Sequence, residues 1–551
     1  MSKQKLELTW VGKDVRPRLE PRILLEDANL SYHAAERVGE GDLFDNRLIF
    51  GDNLLALKAL EQEFAGKVKC IFIDPPYNTG SAFTHYDDGL EHSIWLGMMR
   101  DRLELLRSLL AEDGSLWVTL DDNEAHYFKV MADEVFGRAN FEFTFIWRNV
   151  DSPNDNKVPV TSTHNFVLCY ARDIKKLALR PLEDPSIVDA YPLIDERTGE
   201  RCRDRLLKKN GRNSLRTDRP TMFFPVKGPD GVDVWPIHDD GREARWACGQ
   251  DKVALHRENG TLIWKQRDKN GAMAWVPYTR EFAPENPTKP YPTIWGDLDT
   301  MRQTKAHLKD VLPGIPEFAT PKPEDVIARI LNMATEKDDL VLDSFAGSGT
   351  TGAVAHKMGR RWIMVELGEH CHTHIIPRLK KVIDGDDPGG ITKAVGWKGG
   401  GGFRYFKLAP SLIQKDQYGN DVINPAYNAE MLAEAMCKFM GFRYSPSDLV
   451  FWQHGQSSEN DFIYVTTQPL TVAYLRYLSE EVGPERSLLV CCTAFKGSPD
   501  AFDNLTVKKI PKTVLGRCEF GKDDYSLQVA NLPQAKPEVV PQPALFGEEE
   551  A

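Results

Sequence analysis

No apolar run in the 551-residue chain approaches the roughly 18 residues that a helix needs to cross a bilayer, so no membrane-spanning helix is expected. The opening residues Met1-Ser2-Lys3-Gln4-Lys5-Leu6-Glu7 hold no apolar stretch of the kind a secretory leader requires. Nine cysteines are scattered without one CxxC pair, so neither a zinc ribbon nor a disulfide framework is indicated. Together these absences predict a cytoplasmic protein. Positive charge is also short, with 69 Lys and Arg against 81 Asp and Glu and a net charge of −12. Taken globally, that balance argues against a nucleic-acid partner. Locally it reverses: residues 201–280 hold 17 Lys and Arg against 10 Asp and Glu. Phosphate contacts need local rather than overall positive charge.

What is present is a strand–helix rhythm. Leu48-Ile49-Phe50 is a short apolar run, broken at Gly51-Asp52-Asn53, and a helical pattern follows through Ala65. Val68–Ile73 reads as a buried strand, 93–111 as a helix, Ser115–Leu120 as a strand, and Phe141–Trp147 as β-rich. The rhythm dissolves between 186 and 300 and returns with a helix Pro323–Ala334, a strand Leu340–Leu342, a helix Thr350–Met358 and a strand Trp362–Val365. The pattern predicts an α/β fold with a doubly wound, mostly parallel sheet. The predicted layout is an arm 1–46, a first core half 47–185, an inserted domain 186–300, a second core half 301–410, an α/β accessory domain 411–533, and a Pro-rich acidic tail 534–551 expected to be disordered.

Asp74-Pro75-Pro76-Tyr77 follows the strand Val68–Ile73, placing a carboxylate and an aromatic ring where open α/β sheets bind ligands. These residue types suit the activation of a base's exocyclic amine, a poor nucleophile because its lone pair is delocalised into the ring. Two acceptors gripping its N–H bonds, the Asp74 carboxylate and the Pro75 carbonyl, would pyramidalise the nitrogen and aim its lone pair. Pro75 rigidifies the turn, and Tyr77 offers a face on which an extruded base can stack. The plainer alternative is a strand-to-loop turn, for which Asp-Pro-Pro is a good breaker.

A second loop, Asp343-Ser344-Phe345-Ala346-Gly347-Ser348-Gly349-Thr350-Thr351-Gly352, follows a strand and opens a helix. Gly347, Gly349 and Gly352 fit GxGxxG, and Glu366 ends the next strand, where an acidic side chain can hold ribose hydroxyls. No Lys follows the last glycine, which excludes a P-loop. A dinucleotide-binding dehydrogenase is the rival reading. Asp343 and Phe345 flank the turn and form an acidic, aromatic mouth better suited to a cationic sulfonium than to a pyrophosphate.

With both motifs in hand, the chain resembles the DNA amino-methyltransferases in which the catalytic motif precedes the cofactor motif, and among these the modification subunits of Type III restriction systems. Asp74–Gly80 matches the catalytic motif and Asp343–Thr351 the cofactor motif. The segments 8–13, 120–124 and 320–324 are also similar to family blocks, and the resemblance covers about residues 1–410. It implies the S-adenosylmethionine-dependent methyltransferase fold, and cofactor contacts at Asp343, Phe345, Gly347, Gly349 and Thr350, with the ribose on Glu366. It also implies Asp52 near the cofactor's adenine and Lys322-Pro323 at its methionine end. It implies that 186–300 recognises the target, that double-stranded DNA is the substrate, and that the host is bacterial or archaeal. A homodimer and a restriction nuclease–helicase subunit are the implied protein partners.

The expected reaction is methylation of adenine N6. Cytosine N4 is the alternative within the class, since Asp rather than Ser at position 74 only tilts toward adenine. A non-catalytic DNA-recognition subunit is the alternative from another class. In the basic segment, Arg203, Arg205, Lys208, Lys209, Arg212 and Arg216 are candidates to line phosphates, against a solvated face. His164 is a candidate to reach an extruded base, against core packing. His370, Cys371, His372 and His374 resemble a metal cluster, but no second cluster completes a tetrahedral site, and no metal is expected. Glycines 399–402 read as a backbone approach to phosphate or as a flexible connection. In the tail, Gln542-Pro543-Ala544-Leu545-Phe546 resembles the short peptide with which bacterial DNA enzymes bind the replication sliding clamp, against a pair that packs back on the C-terminal domain.

Overall fold

The computed structural model describes residues 7–39, 41–77, 88–152, 159–269, 271–498 and 501–526. The tail peptide Gln542–Phe546 and Asn78-Thr79-Gly80 of the first motif lie outside the described residues. Among the described residues, no helix is long and apolar enough to cross a membrane. The chain divides into two compact units, residues 1–180 with 292–551, and Pro181–Tyr291.

The first unit is built on β1 (Asn46–Phe50), α1 (Asn53–Phe64), β2 (Val68–Ile73), α2 (Asp88–Leu109), β3 (Leu110–Leu120), β4 (Phe141–Arg148) and β5 (His164–Ala171). After the insertion come α3 (Glu324–Ala334), β6 (Leu340–Asp343), α4 (Thr350–Lys357), β7 (Arg361–Glu366), α5 (Ile376–Asp384) and β8 (Gly402–Leu408). The strands lie in the order β8-β1-β7-β6-β2-β3-β5-β4. The first six run parallel, while β5 and β4 form an antiparallel flank. Parallel strands covered on both faces read as continuous apolar runs, and β2 (VKCIFI) is one. Its Ile71 and Ile73 pack in a cluster with Ala56, Leu60, Trp95 and Met99 from α1 and α2.

Two local expectations differ from the structure. Strand β3 begins at Leu110 rather than Ser115, because Gly114 lets the chain pass close to β2: a Cβ there would lie 2.8 Å from the Val68 carbonyl. Glycines 399–401 form neither a flexible connection nor a phosphate-facing loop. They are buried with positive φ, and a Cβ on Gly401 would lie 2.6 Å from the Leu43 carbonyl. Only glycine fits so tight a crossing.

Beyond β8, a five-stranded sheet ends in three parallel strands, Asp461–Leu470, Ser487–Phe495 and Leu505–Lys509. The helices Ala429–Met440 and Val472–Val482 bury Leu432, Met436, Leu475 and Leu478. This region docks on α1, where Gln62 Nε2 donates to the Phe442 carbonyl at 2.6 Å and Lys438 Nζ to the Ala59 carbonyl at 3.1 Å.

The second unit, where 186–300 was expected, spans Pro181–Tyr291. It holds a four-stranded antiparallel sheet in the order Leu262–Lys269, Ala272–Phe282, Arg201–Leu206, Leu193–Ile194, and a helix Gln250–Glu258. A small core of Leu207, Val226, Trp246 and Val253 supports it. Arg280 bridges Asp195 and Asp204, each at 2.8 Å.

Candidate active site

Both sequence motifs leave the carboxyl ends of neighbouring strands. Leu342 of β6 lies opposite Ile71 of β2, so Asp343 and, two residues farther out, Asp74 emerge at the same edge of the sheet. From β2 the chain moves to β3 on one side, and from β6 to β7 on the other. Such a switch point opens a crevice above the sheet. Here it is a cavity of 660 Å³ lined by Asp74, Pro75, Pro76, Tyr77, Lys322, Asp343, Phe345, Gly347, Thr350 and Glu366, among others.

The Asp74–Tyr77 turn is held from several sides. Asp74 Oδ1 accepts hydrogen bonds from Tyr77 Oη at 2.8 Å and Thr119 Oγ1 at 2.5 Å. The Lys322 ammonium pairs with Oδ2. The Pro76 carbonyl accepts from the buried Trp95 indole at 2.8 Å, which fixes the turn. Burial, reinforced by the Asp74 charge, pushes the Tyr77 phenol well above its usual range. It stays a neutral ring and a hydrogen-bond donor.

The glycine loop is shaped by its own carboxylates. Asp343 accepts from the Phe345 N–H at 2.9 Å and from Thr351 Oγ1 at 2.5 Å. Burial is the largest influence on this carboxyl and raises it to about 7 against those stabilising hydrogen bonds. Glu366 accepts from the Gly347 N–H at 2.8 Å and from the N–H groups of Leu367 and Gly368 at 2.9 Å. Gly347 and Gly349 have φ of 56° and 78°, and a Cβ on Gly349 would lie 3.0 Å from Ile375 Cγ2. Gly349 therefore caps α4 and packs inward, while Gly347 faces the cavity.

Besides Gly349, two expected residues stand apart from the cavity wall. Asp52 is buried with both oxygens engaged, Oδ1 by the N–H groups of Leu54 and Leu55 at 2.9 and 3.1 Å, and Oδ2 by the Tyr525 N–H at 2.8 Å. Its neighbour Asn53 lines the cavity instead and donates to the Ser344 carbonyl at 2.7 Å. Pro323 precedes α3 as its N-cap residue and leaves the wall to Lys322. Thr119, Phe318 and Arg102 belong to the site without a sequence signal, since each sits in a segment that reads as ordinary strand, loop or helix.

The residues present fit an adenosine-bearing cofactor with an amino-acid end. Phe345 and Phe318 supply aromatic faces, Glu366 an oriented acceptor pair, and Lys322 a cation. Ser344 Oγ is buried in this wall with no hydrogen-bond partner among the described residues, a group that a polar ligand would satisfy.

The remaining candidates have other surroundings. His370 pairs with Glu366 at 3.0 Å, His372 contacts Tyr405 Oη at 2.9 Å, and His374 the Pro316 carbonyl at 2.9 Å. His307, Glu324 and Asp387 cluster within 4.8 Å, but the Lys357 ammonium sits 2.7 Å from Glu324 and 2.6 Å from Asp387. His164 is the first residue of β5 and packs edge-on against Phe166 at 5.0 Å. In the second unit, Arg203 and Arg205 share Glu281 at 2.9 and 3.2 Å, Lys208 pairs with Asp239 at 3.2 Å, and Arg216 with Glu243 at 2.9 Å. Arg212 is exposed and Lys209 half-buried.

A family model described as DNA methylase matches residues 68–377, from the start of β2 into α5. The chain belongs to this family. It is 32% identical over 68% of its length to a protein of Haemophilus influenzae described as "Probable type III restriction-modification enzyme HindVI Mod subunit", covering 55% of that relative. It is 30% identical over 65% of its length to the Type III restriction-modification enzyme EcoPI Mod subunit of Escherichia phage P1, covering 62% of it. With the Type II methyltransferase M.KpnI of Klebsiella pneumoniae it shares 28% identity over 60% of this chain and 81% of the other. The chain thus spans less than two thirds of the length of either Mod subunit.

Proposed function

We propose that the chain methylates N6 of adenine in double-stranded DNA, using S-adenosylmethionine, as the modification subunit of a Type III-like restriction–modification system. The observation that carries this is the shared cavity, which puts the Asp74–Tyr77 turn beside the Asp343–Glu366 loop. The cofactor, when bound, supplies the methyl group. Asp74 accepts an N–H of the target amine and stabilises the positive charge that develops on nitrogen. Tyr77 gives the base a stacking face, and Thr119 and Tyr77 hold the carboxylate in place. Glu366 holds the ribose, while Phe345 and Phe318 shelter the adenosine from water. An aspartate at position 74 favours adenine, and the similarity to the Mod subunits favours the restriction–modification role. The unit Pro181–Tyr291 is read as the recognition domain.

The test is to sequence, by a modification-sensitive method, the DNA of a host expressing the chain. N6-methyladenine at one motif is the expected result. N4-methylcytosine would replace the base assignment, and unmodified DNA from a host with soluble protein would overturn the activity. The same reading includes a homodimer, a nuclease–helicase partner and a sliding-clamp contact through Gln542–Phe546. Mass photometry tests the first, co-purification of a nuclease–helicase subunit from the host the second. For the third, a 536–551 peptide titrated against the host's clamp must bind better than its Leu545→Ala, Phe546→Ala form.

A further inference from the structure

Lys322 occupies the two features that a target base would need. Its ammonium pairs with Asp74 Oδ2, and it lies 5.1 Å from the centre of the Tyr77 ring, over its face. Asp74 Oδ1 already accepts two hydroxyl donors, from Tyr77 and Thr119. An incoming amine would therefore meet Lys322 at the remaining oxygen, and an incoming ring would meet it at the stacking face.

The backbone that carries this lysine is fixed. Its carbonyl accepts from Thr350 Oγ1 at 3.0 Å. Two residues on, the buried Glu324 is clamped by Lys357 at 2.7 Å and Arg378 at 2.9 Å. The side chain itself lines the cavity that also holds the glycine loop. A second anion placed in that cavity would compete with Asp74 for the ammonium.

We propose that Lys322 is a gate that closes the target-base site until the cofactor's own carboxylate draws its ammonium away from Asp74. This rests on the reading of the cavity as an S-adenosylmethionine site. The gate makes binding ordered: the base finds a free Asp74 oxygen and an open Tyr77 face only when the methyl donor is in place. Coupling of this kind is reciprocal, so whatever weakens the hold of Asp74 on Lys322 strengthens the hold of Lys322 on the cofactor carboxylate.

The reciprocity can be read without DNA and without turnover. Calorimetric titrations would compare S-adenosylhomocysteine, which keeps the amino-acid carboxylate, with 5′-methylthioadenosine, which lacks it. Asp74→Asn should bind S-adenosylhomocysteine at least about fivefold tighter than the wild type, and methylthioadenosine equally well. The gain should vanish in Asp74→Asn combined with Lys322→Met. A crystal structure of the wild type with S-adenosylhomocysteine should show Lys322 on the ligand carboxylate, and one with methylthioadenosine should show it on Asp74. If both ligands bind but Asp74→Asn leaves their affinities unchanged, or Lys322 stays on Asp74 in the S-adenosylhomocysteine complex, the gate is wrong and the cofactor site stands. If neither ligand binds the wild type, the cofactor reading itself fails and takes the gate with it.

Discussion

The Tyr525 N–H donates to Asp52 Oδ2 at 2.8 Å, tying the last described stretch of chain to the first helix of the core. Asp52 also caps α1 through Oδ1 and faces Arg102, which is 1% exposed and lies 3.4 Å from Oδ2. One carboxylate thus serves a helix terminus, a buried cation and a C-terminal segment whose Ser526 reaches the cavity wall.

Asp52→Ala removes the cap and the carboxylate facing the buried Arg102, which keeps its hydrogen bonds to Asn53 and to the Met98 and Tyr525 carbonyls. The expected loss is about 3–5 kcal/mol, the scale for deleting one partner of a buried ion pair. Asp52→Asn keeps an oxygen at the cap and should lose less. Urea unfolding of the three proteins measures this. A change within about 0.5 kcal/mol for the alanine variant, the range of an ordinary surface substitution, would show that the contact holds nothing together.

Asp74→Ala should lower turnover by about 10²–10³ while the protein stays folded and still binds cofactor, since the lost group acts on the amine. Tyr77→Ala should weaken capture of an extruded base by about 1–3 kcal/mol through lost stacking. Single-turnover rates with labelled cofactor address the first, and fluorescence of 2-aminopurine at the target position the second. Normal single-turnover rates in Asp74→Ala would remove that carboxylate from the mechanism.

Asp343 gives a pH dependence of stability with a definite sign. Its carboxyl is raised to about 7 by burial, so between its ordinary value near 4 and 7 the folded state binds a proton that the unfolded state has lost. Stability from this group is fully present below about pH 4 and is lost as pH rises through about 7. The expected decline is a few kcal/mol. Asp343→Asn should flatten this part of the profile and leave the variant more stable than the wild type at pH 8. Chemical denaturation between pH 5 and 8 decides the matter. Parallel profiles for the two proteins would mean that Asp343 is already ionised in the folded state at pH 5.

The two motifs were legible because each follows a largely buried strand and carries residues that favour turns, Pro75-Pro76 in one case and Gly347 and Gly349 in the other. What joins them was not legible. The contact of Lys322 with Asp74 spans 248 positions, and Thr119 sits within the buried second half of its strand, Ser115–Leu120, with nothing to mark it from its neighbours. Local pattern likewise cannot distinguish a flexible glycine run from Gly399–Gly401, because the difference lies in the backbone carbonyls that close around them. Of the antiparallel flank β4–β5, Phe141–Trp147 reads as β-rich, and the direction of the flank is set by pairing rather than by composition.

The basic segment of the second unit looked uniform in sequence, but its structure sorts the residues. Arg203 and Arg205 both hold Glu281 on the neighbouring strand, and Arg203 also lies 4.4 Å from the Tyr191 ring centre. These two serve the sheet, and phosphate would have to compete with a carboxylate for them. Arg212 is exposed on a turn beside the positive-φ Asn213, and Lys209 is only half-buried. Reversing the charge at Arg212 or Lys209 should therefore weaken DNA binding uniformly across sequences and reduce the slope of log affinity against log salt by about 1 each. Reversal at Arg205 should place a second carboxylate beside Glu281 and lower the thermal stability of the unit before it changes the salt slope. Fluorescence anisotropy at four or five salt concentrations, with a melting curve for each variant, separates the two effects. An unchanged slope for Arg212→Glu and Lys209→Glu would show that these residues are merely solvated. A reduced slope for a stably folded Arg205→Glu would mean that Glu281 releases its arginines to DNA.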